Sequence, residues 1–147
     1  MKKQLLAHCV ELAKSKVRAL ENELDSTREA TTSESKSTAG DKHETGRAMM
    51  HLEQEKLHKQ LAEAQAVLAE LGRIDPAIVH TKIGLGTLIN TDKGPFFLAA
   101  GLGKVVFDHT NYFVVSTMAP IATQFLGKSI GDKVNMNGTV YDILAVE

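Results

Sequence analysis

The sequence predicts an α+β protein in two parts: an antiparallel coiled-coil helical hairpin over residues 1–75, then a small antiparallel sheet domain with one short helix over residues 76–147. Three observations predict it. All seven aromatic residues and all three prolines lie after residue 75. Before that point the apolar residues repeat with a heptad spacing, and after it short β-prone runs alternate with glycine turns. A charged first half without aromatics, holding 12 Lys and Arg against 13 Asp and Glu, cannot build a conventional core and has to bury a helical stripe instead.

The first stripe is Leu6, Val10, Ala13, Val17, Leu20 and Leu24, spaced 4, 3, 4, 3, 4. The second is Leu57, Leu61, Ala64, Leu68 and Leu71, with Met50 one heptad upstream. A coiled-coil seam has this spacing. Between them stands the polar run 31–46, with Gly40 and Gly46. Two matched seams flanking one polar break favour a hairpin over an intermolecular coiled coil. Helix one is expected from about residue 3 to the mid-thirties, and helix two from the mid-forties to Gly72, each arm about 45 Å long at 1.5 Å per residue. Gly72 and then Pro76 supply the stop.

Six strands are expected after the hairpin: 83–90, 96–100, 104–107, 112–116, 133–136 and 140–146. Asp92-Lys93-Gly94-Pro95, Gly101-Leu102-Gly103, Asp108-His109-Thr110-Asn111 and Asn137-Gly138 read as the turns between them. Ala119–Leu126 reads as a short helix, with Pro120 in its first turn and Gly127 beyond its end. Neither Gly101-Leu102-Gly103-Lys104 nor Gly84-Leu85-Gly86 has the spacing or the following helix of a phosphate loop, so both read as turn or bulge glycines.

Composition narrows the partners. A formal net charge of −1 gives no basic excess for holding free DNA through its phosphates. No apolar run approaches the ~18 residues of a membrane helix, and charges break up any signal-peptide core near the start. Cys9 is the single cysteine, which excludes an intrachain disulfide and a cysteine-based zinc site. Its place beside the seam suits a small packing residue. A cytoplasmic protein is therefore the expectation, and a monomer is expected because the hairpin buries its own seam.

Chemistry is expected at the hairpin tip, near residues 38–46, where Asp41 and Glu44 stand. Asp-x-x-Glu is also a capping box, in which Asp41 caps helix two and Glu44 reaches back to its backbone N–H. As ligands, two carboxylates suit Mg²⁺, but only where something else completes its shell. His51 and His58 are two helical turns apart, too far to share a metal, and read with His43 as flank residues. His80 and His109 read as isolated surface residues.

Two passages resemble the Gre-type transcript cleavage factors of bacterial RNA polymerase. Ala39-Gly40-Asp41-Lys42-His43-Glu44-Thr45, leading to Glu53-Gln54-Glu55, resembles that family's tip, where Gly-Asp-x-x-Glu opens helix two. Ala119-Pro120 through Gly127-Lys128-Ser129-Ile130-Gly131-Asp132-Lys133-Val134 resembles its Ser-Pro-helix-Gly-Lys-x-x-Gly-Asp passage, and Tyr141-Asp142-Ile143-Leu144 its last strand. The resemblance implies an FKBP-like C-terminal domain and a transcription elongation factor that is not itself an enzyme. It implies a hairpin that enters the secondary channel of the polymerase, with Asp41 and Glu44 helping to hold the second Mg²⁺ at the 3′ end of a backtracked nascent RNA. The polymerase then cleaves the RNA. The loop opening the short helix, Met118, Ala119 and Pro120, is implied to dock at the channel rim.

The chain departs from the family pattern at both places. Met118-Ala119 stands where Ser, sometimes after Asp, usually precedes the proline. Lys42, His43, Thr45, Gly46 and Arg47 replace the usual Leu, Ser, Asn, Ala and Glu. The more basic tip keeps open a channel-binding regulator of the same fold without cleavage activity. Two other classes also stay open: an FKBP-like prolyl isomerase or chaperone, against which the absence of Trp counts, and a coiled-coil adaptor unconnected with transcription.

Overall fold

The computed structural model describes the backbone of residues 1–35 and 40–147, and the side chains of residues 1–29 and 46–147. Two long helices, α1 (Lys2–Ser35) and α2 (Gly40–Gly72), form the hairpin. They are followed by β1 (Leu88–Thr91), β2 (Gly94–Leu98), β3 (Gly103–Phe107), β4 (Thr110–Val115), α3 (Pro120–Phe125), β5 (Lys133–Met136) and β6 (Thr139–Val146). The chain divides into two compact units. One is Leu12–Ala66, and the other is Met1–Glu11 together with Val67–Glu147.

In the unit Leu12–Ala66, the expected stripes meet. Leu20, Leu24, Leu57 and Ala64 are buried as one cluster, with Val17 and Leu61 half-buried against it. The heptad spacing thus becomes a narrow seam one side chain deep, with exposed residues on either side. At its far end α2 ends on Gly72, the chain closing with bonds from Arg73 N–H to Glu70 O and Ile74 N–H to Leu71 O at 3.2 Å. Gly72 is therefore the last helical residue. The stop is completed by Asp75, whose carboxylate accepts the N–H of Ala77 at 2.9 Å beside Pro76.

In the other unit six strands form one sheet in the order β3-β4-β2-β1-β6-β5. Its pairings are antiparallel apart from β2 with β4, which run parallel. The parallel pair arises because β3 is laid down one strand away from β2 and the tight β3–β4 turn returns β4 into the gap. Asp108 and His109 make that turn with φ of 49° and 61°, the left-handed conformation a two-residue hairpin requires. β1 starts at Leu88, five residues later than the apolar pattern suggests. Gly86 has φ of 86° and its N–H bonds to Leu98 O at 2.7 Å, while Thr87 Oγ1 accepts the Gly84 N–H at 3.0 Å. Residues 84–87 thus form a turn, and Ile83 pairs instead with the chain after α3, through Lys128 O and the Gly127 N–H.

The sheet is apolar on both faces, as its register requires. Leu88, Phe97 and Val114 stand in one row on one face and are almost fully buried. On that side the first turns of α1 cover the sheet: Tyr112 Oη lies 3.6 Å from Met1 Sδ, and the His8 and Phe107 rings are 5.1 Å apart. The other face carries Ile89, Phe96, Leu98, Val134 and Ile143, closed by Ala122 and Phe125 of α3.

Candidate functional site

The segment around α3 contains the passage that carries the sequence resemblance, and several of its residues have a local structural role. Ser116 organises the loop before the helix: its hydroxyl accepts the Met118 N–H at 3.1 Å and its carbonyl the Ala119 N–H at 3.0 Å. Ala119 takes the N-cap position with extended backbone and no side-chain cap, and Pro120 occupies the first turn, where its missing N–H costs nothing. Met118 is left 85% exposed.

At the other end of α3, Gly127 adopts φ of 79° and Gly131 φ of 91°, conformations that a side chain disfavours. Asp132 closes the loop between them. Its carboxylate accepts the Ser129 N–H at 2.9 Å, and its backbone oxygen accepts the Ile143 N–H at 3.0 Å. Gly-Lys-x-x-Gly-Asp is therefore a scaffold device that returns the chain from α3 into β5. Its consequence for a surface is that Met118, Leu126 and Ile130, all exposed, flank the short helix Pro120–Phe125. Of the expected docking loop, Met118 is the side chain that offers area. Ala119 packs against the core cluster and Pro120 sets the turn.

A second exposed feature went unread in the sequence. Along one row of the sheet, Lys104 pairs with Phe113, Phe113 with Phe96, and Phe96 with Ile89. Burial falls along this row, from Ile89 beneath α3 to Phe113, which is 39% exposed, and Lys104 at the open edge. The rings interlock: Phe96 lies 5.3 Å from Phe113, 5.2 Å from Phe125 and 5.6 Å from Tyr141. The Lys93 ammonium stands 5.5 Å from the Tyr141 ring centroid. No alternation in the sequence sets Phe96 apart from Phe97 or Phe113 from Tyr112, and the parallel pairing of β2 and β4 was needed to make the patch.

Asp41 and Glu44 fall within the bounds of α2, but their side chains lie outside the described residues, as do those of Lys42 and His43. Among the described residues no group of three or more His, Cys, Asp or Glu side chains could hold a metal ion. Gly84-Leu85-Gly86 lies in the turn described above, and Gly103 opens β3 with φ of 73°, so both glycine pairs serve turns. Cys9 is fully buried, and burial pushes its thiol up to about 11, which keeps it protonated and unreactive. His80 is held below its usual range by burial and by the nearby Lys2. No helix among the described residues is long and apolar enough to cross a membrane.

No family model and no curated protein matches the chain. Among solved structures it is similar to the transcription factor Gfh1, at 13% identity over 94% of this chain and 92% of that one, with a TM-score of 0.39. It is also similar to GreA factor homolog 1 of Thermus thermophilus, at 16% identity over 91% of this chain and 96% of that one, with a TM-score of 0.35. At this identity and superposition, neither likeness assigns a family.

Proposed function

We propose that the chain is a transcription elongation factor that binds bacterial RNA polymerase, inserts its hairpin tip into the secondary channel, and stimulates the polymerase's own cleavage of backtracked RNA. One observation supports this reading above the others. The passage that carries the sequence resemblance folds as a helix, a glycine-bounded loop and a strand, in a sheet unit that follows a hairpin, which is the order the resemblance implies. Met118 is the exposed apolar contact offered to the polymerase. Asp41 and Glu44, three residues apart near the start of α2, are the groups that would hold Mg²⁺ together with ligands from polymerase and RNA. When bound, the ion supplies Lewis-acid activation of water and charge neutralisation at the phosphodiester. The chain's own work would be to deliver these two carboxylates to the polymerase. The chain acts in the cytoplasm as a monomer and needs no free DNA.

The more basic tip, with Lys42, His43 and Arg47, supports a second reading: a secondary-channel regulator without cleavage activity. One experiment separates the two. A backtracked elongation complex is incubated with Mg²⁺ and the full chain, and release of short 3′ fragments is followed. Accelerated release that is lost in Asp41→Ala and Glu44→Ala, with polymerase binding retained, supports the cleavage factor. Slowed nucleotide addition without release supports the regulator, and absence of polymerase binding overturns both. The isomerase alternative gains nothing from the aromatic cluster, because Phe96, Phe125 and Tyr141 fill the space beneath α3 with one another.

A further inference from the structure

Within the sheet unit, α1 begins at a cavity of about 330 Å³, at the small end of the range that holds organic ligands. Its lining carries Met1, Lys2 and Lys3 with Glu147 as its one carboxylate, and its apolar walls are Pro76, Ile78, Val79 and Val146. We propose that this cavity is a binding site for an aliphatic monocarboxylate, with the carboxylate on Lys2 and the hydrocarbon on the Ile78–Val79 wall.

The argument starts from Lys2. Its residue is only 7% exposed, yet the ammonium makes one hydrogen bond among the described residues, donated to Ile78 O at 2.6 Å. An ammonium has three donors, and a buried charge is costly unless its donors are met. Burial outweighs the attraction of Glu147 and Asp75, so Lys2 sits below the usual lysine range. With one donor on Ile78 O, the Lys2 ammonium keeps two donors without an assigned acceptor among the described residues, and Glu147 and Asp75 are the carboxylates that face it. Two features point the same way. The first turn of α1 has no acidic residue, so the N–H groups and positive helix end that begin at this cavity are not answered by a carboxylate of that turn. Lys3 adds a second ammonium to the lining.

The walls decide the rest of the ligand. Ile78 and Val79 are exposed, Val79 at 81%, and they form a ledge that would gain by being covered. An inorganic dianion would be left against hydrocarbon there, and Glu147 on the lining disfavours a second negative charge further. A single carboxylate carrying a short branched chain satisfies Lys2 and covers the ledge. That chemistry occurs in free branched short-chain acids and at the C-terminus of a peptide ending in Leu or Val.

The test is a titration of the ¹⁵N-labelled full chain, following backbone amides, with 4-methylpentanoate and with N-acetyl-leucyl-leucine, which separate the two sources. The neutral 4-methylpentanol and inorganic phosphate serve as controls. Saturable shifts at Lys2, Lys3 and Val79 are expected with the carboxylates, with the alcohol and phosphate at least about tenfold weaker. Lys2→Met should weaken binding about tenfold or more, and Val79→Asp, at an exposed position that leaves the fold intact, should do the same by repulsion. The proposal is overturned by absence of saturation with both carboxylates up to about 20 mM, past the millimolar range of weak sites. It is equally overturned if the alcohol or phosphate binds as well, or if Val79→Asp binds unchanged.

Discussion

The hairpin unit and the sheet unit solve the same burial problem with opposite resources. In the sheet unit, Phe96, Phe125, Ile89, Leu98 and Ile143 meet in three dimensions beneath one six-residue helix, so each side chain supports several others. In the hairpin unit, burial is a line: Leu20 and Leu24 on one helix, Leu57 and Ala64 on the other. A line has only near neighbours, so a defect in it stays local, whereas a defect under α3 is felt throughout the sheet unit.

The largest effect is expected where this comparison is sharpest. Phe125 is fully buried and its ring meets those of Phe96 and Tyr141 at 5.2 and 6.1 Å. Phe125→Ala should cost about 3–5 kcal/mol, read by chemical denaturation, with loss of near-ultraviolet dichroism from the aromatic cluster. Leu24→Ala, in the linear seam, should cost about 2 kcal/mol, the low end for such a truncation. Its increase in amide exchange should be confined to neighbouring turns of α1 and α2. Exchange that rises equally in the sheet strands would break the comparison.

The hairpin was the most legible part of the sequence, because a heptad stripe needs only local spacing and Leu20, Leu24, Leu57 and Ala64 were all placed by it. Strand β5 and the short helix were legible for a different reason: Pro120, Gly127 and Gly131 mark their ends with backbone chemistry that has few other uses. The parallel pairing of β2 with β4 was not legible, since strand order depends on non-local contacts that no run of residues announces. The late start of β1 was hidden by Ile83 and Leu85, which look like strand residues. The turn at Gly86 and the bonds of Ile83 to the chain after α3 override them. At the candidate site, the loop holding Met118 was singled out by the resemblance alone, and the structure adds that its side chain is exposed, whereas Phe113 became visible as a surface only when the sheet placed it beside Lys104.

Gly86 offers a medium-sized test of how tightly that turn is built into the sheet unit. A Cβ there would lie 3.0 Å from Ile74 Cγ2, on a backbone at φ of 86°. Gly86→Ala should therefore cost about 2 kcal/mol, combining the left-handed penalty with displacement of Ile74. Gly138→Ala, at φ of 84° but with nothing within 4 Å, should cost only the conformational part, about 1 kcal/mol. Equal losses in thermal denaturation would mean that Ile74 yields freely.

The smallest effect is electrostatic and lies where β1 meets β6. Asp92 accepts the Asp142 N–H at 2.8 Å and pairs with Lys93 at 3.0 Å. The backbone bond first, and then the lysine, hold its carboxyl below the usual aspartate range. A carboxyl depressed in the folded state binds its proton more readily when unfolded. Its contribution is therefore complete above the unfolded value near pH 3.9 and is lost as pH falls through the lower folded value. The group is exposed, so the effect should be small and sensitive to salt. Asp92→Asn should lower the melting temperature slightly at pH 7 and by less at pH 2.5, where the wild-type carboxylate is itself being protonated. A difference that grows on acidification would mean that the β1–β6 contact depends on the amide-accepting geometry at residue 92 rather than on its charge.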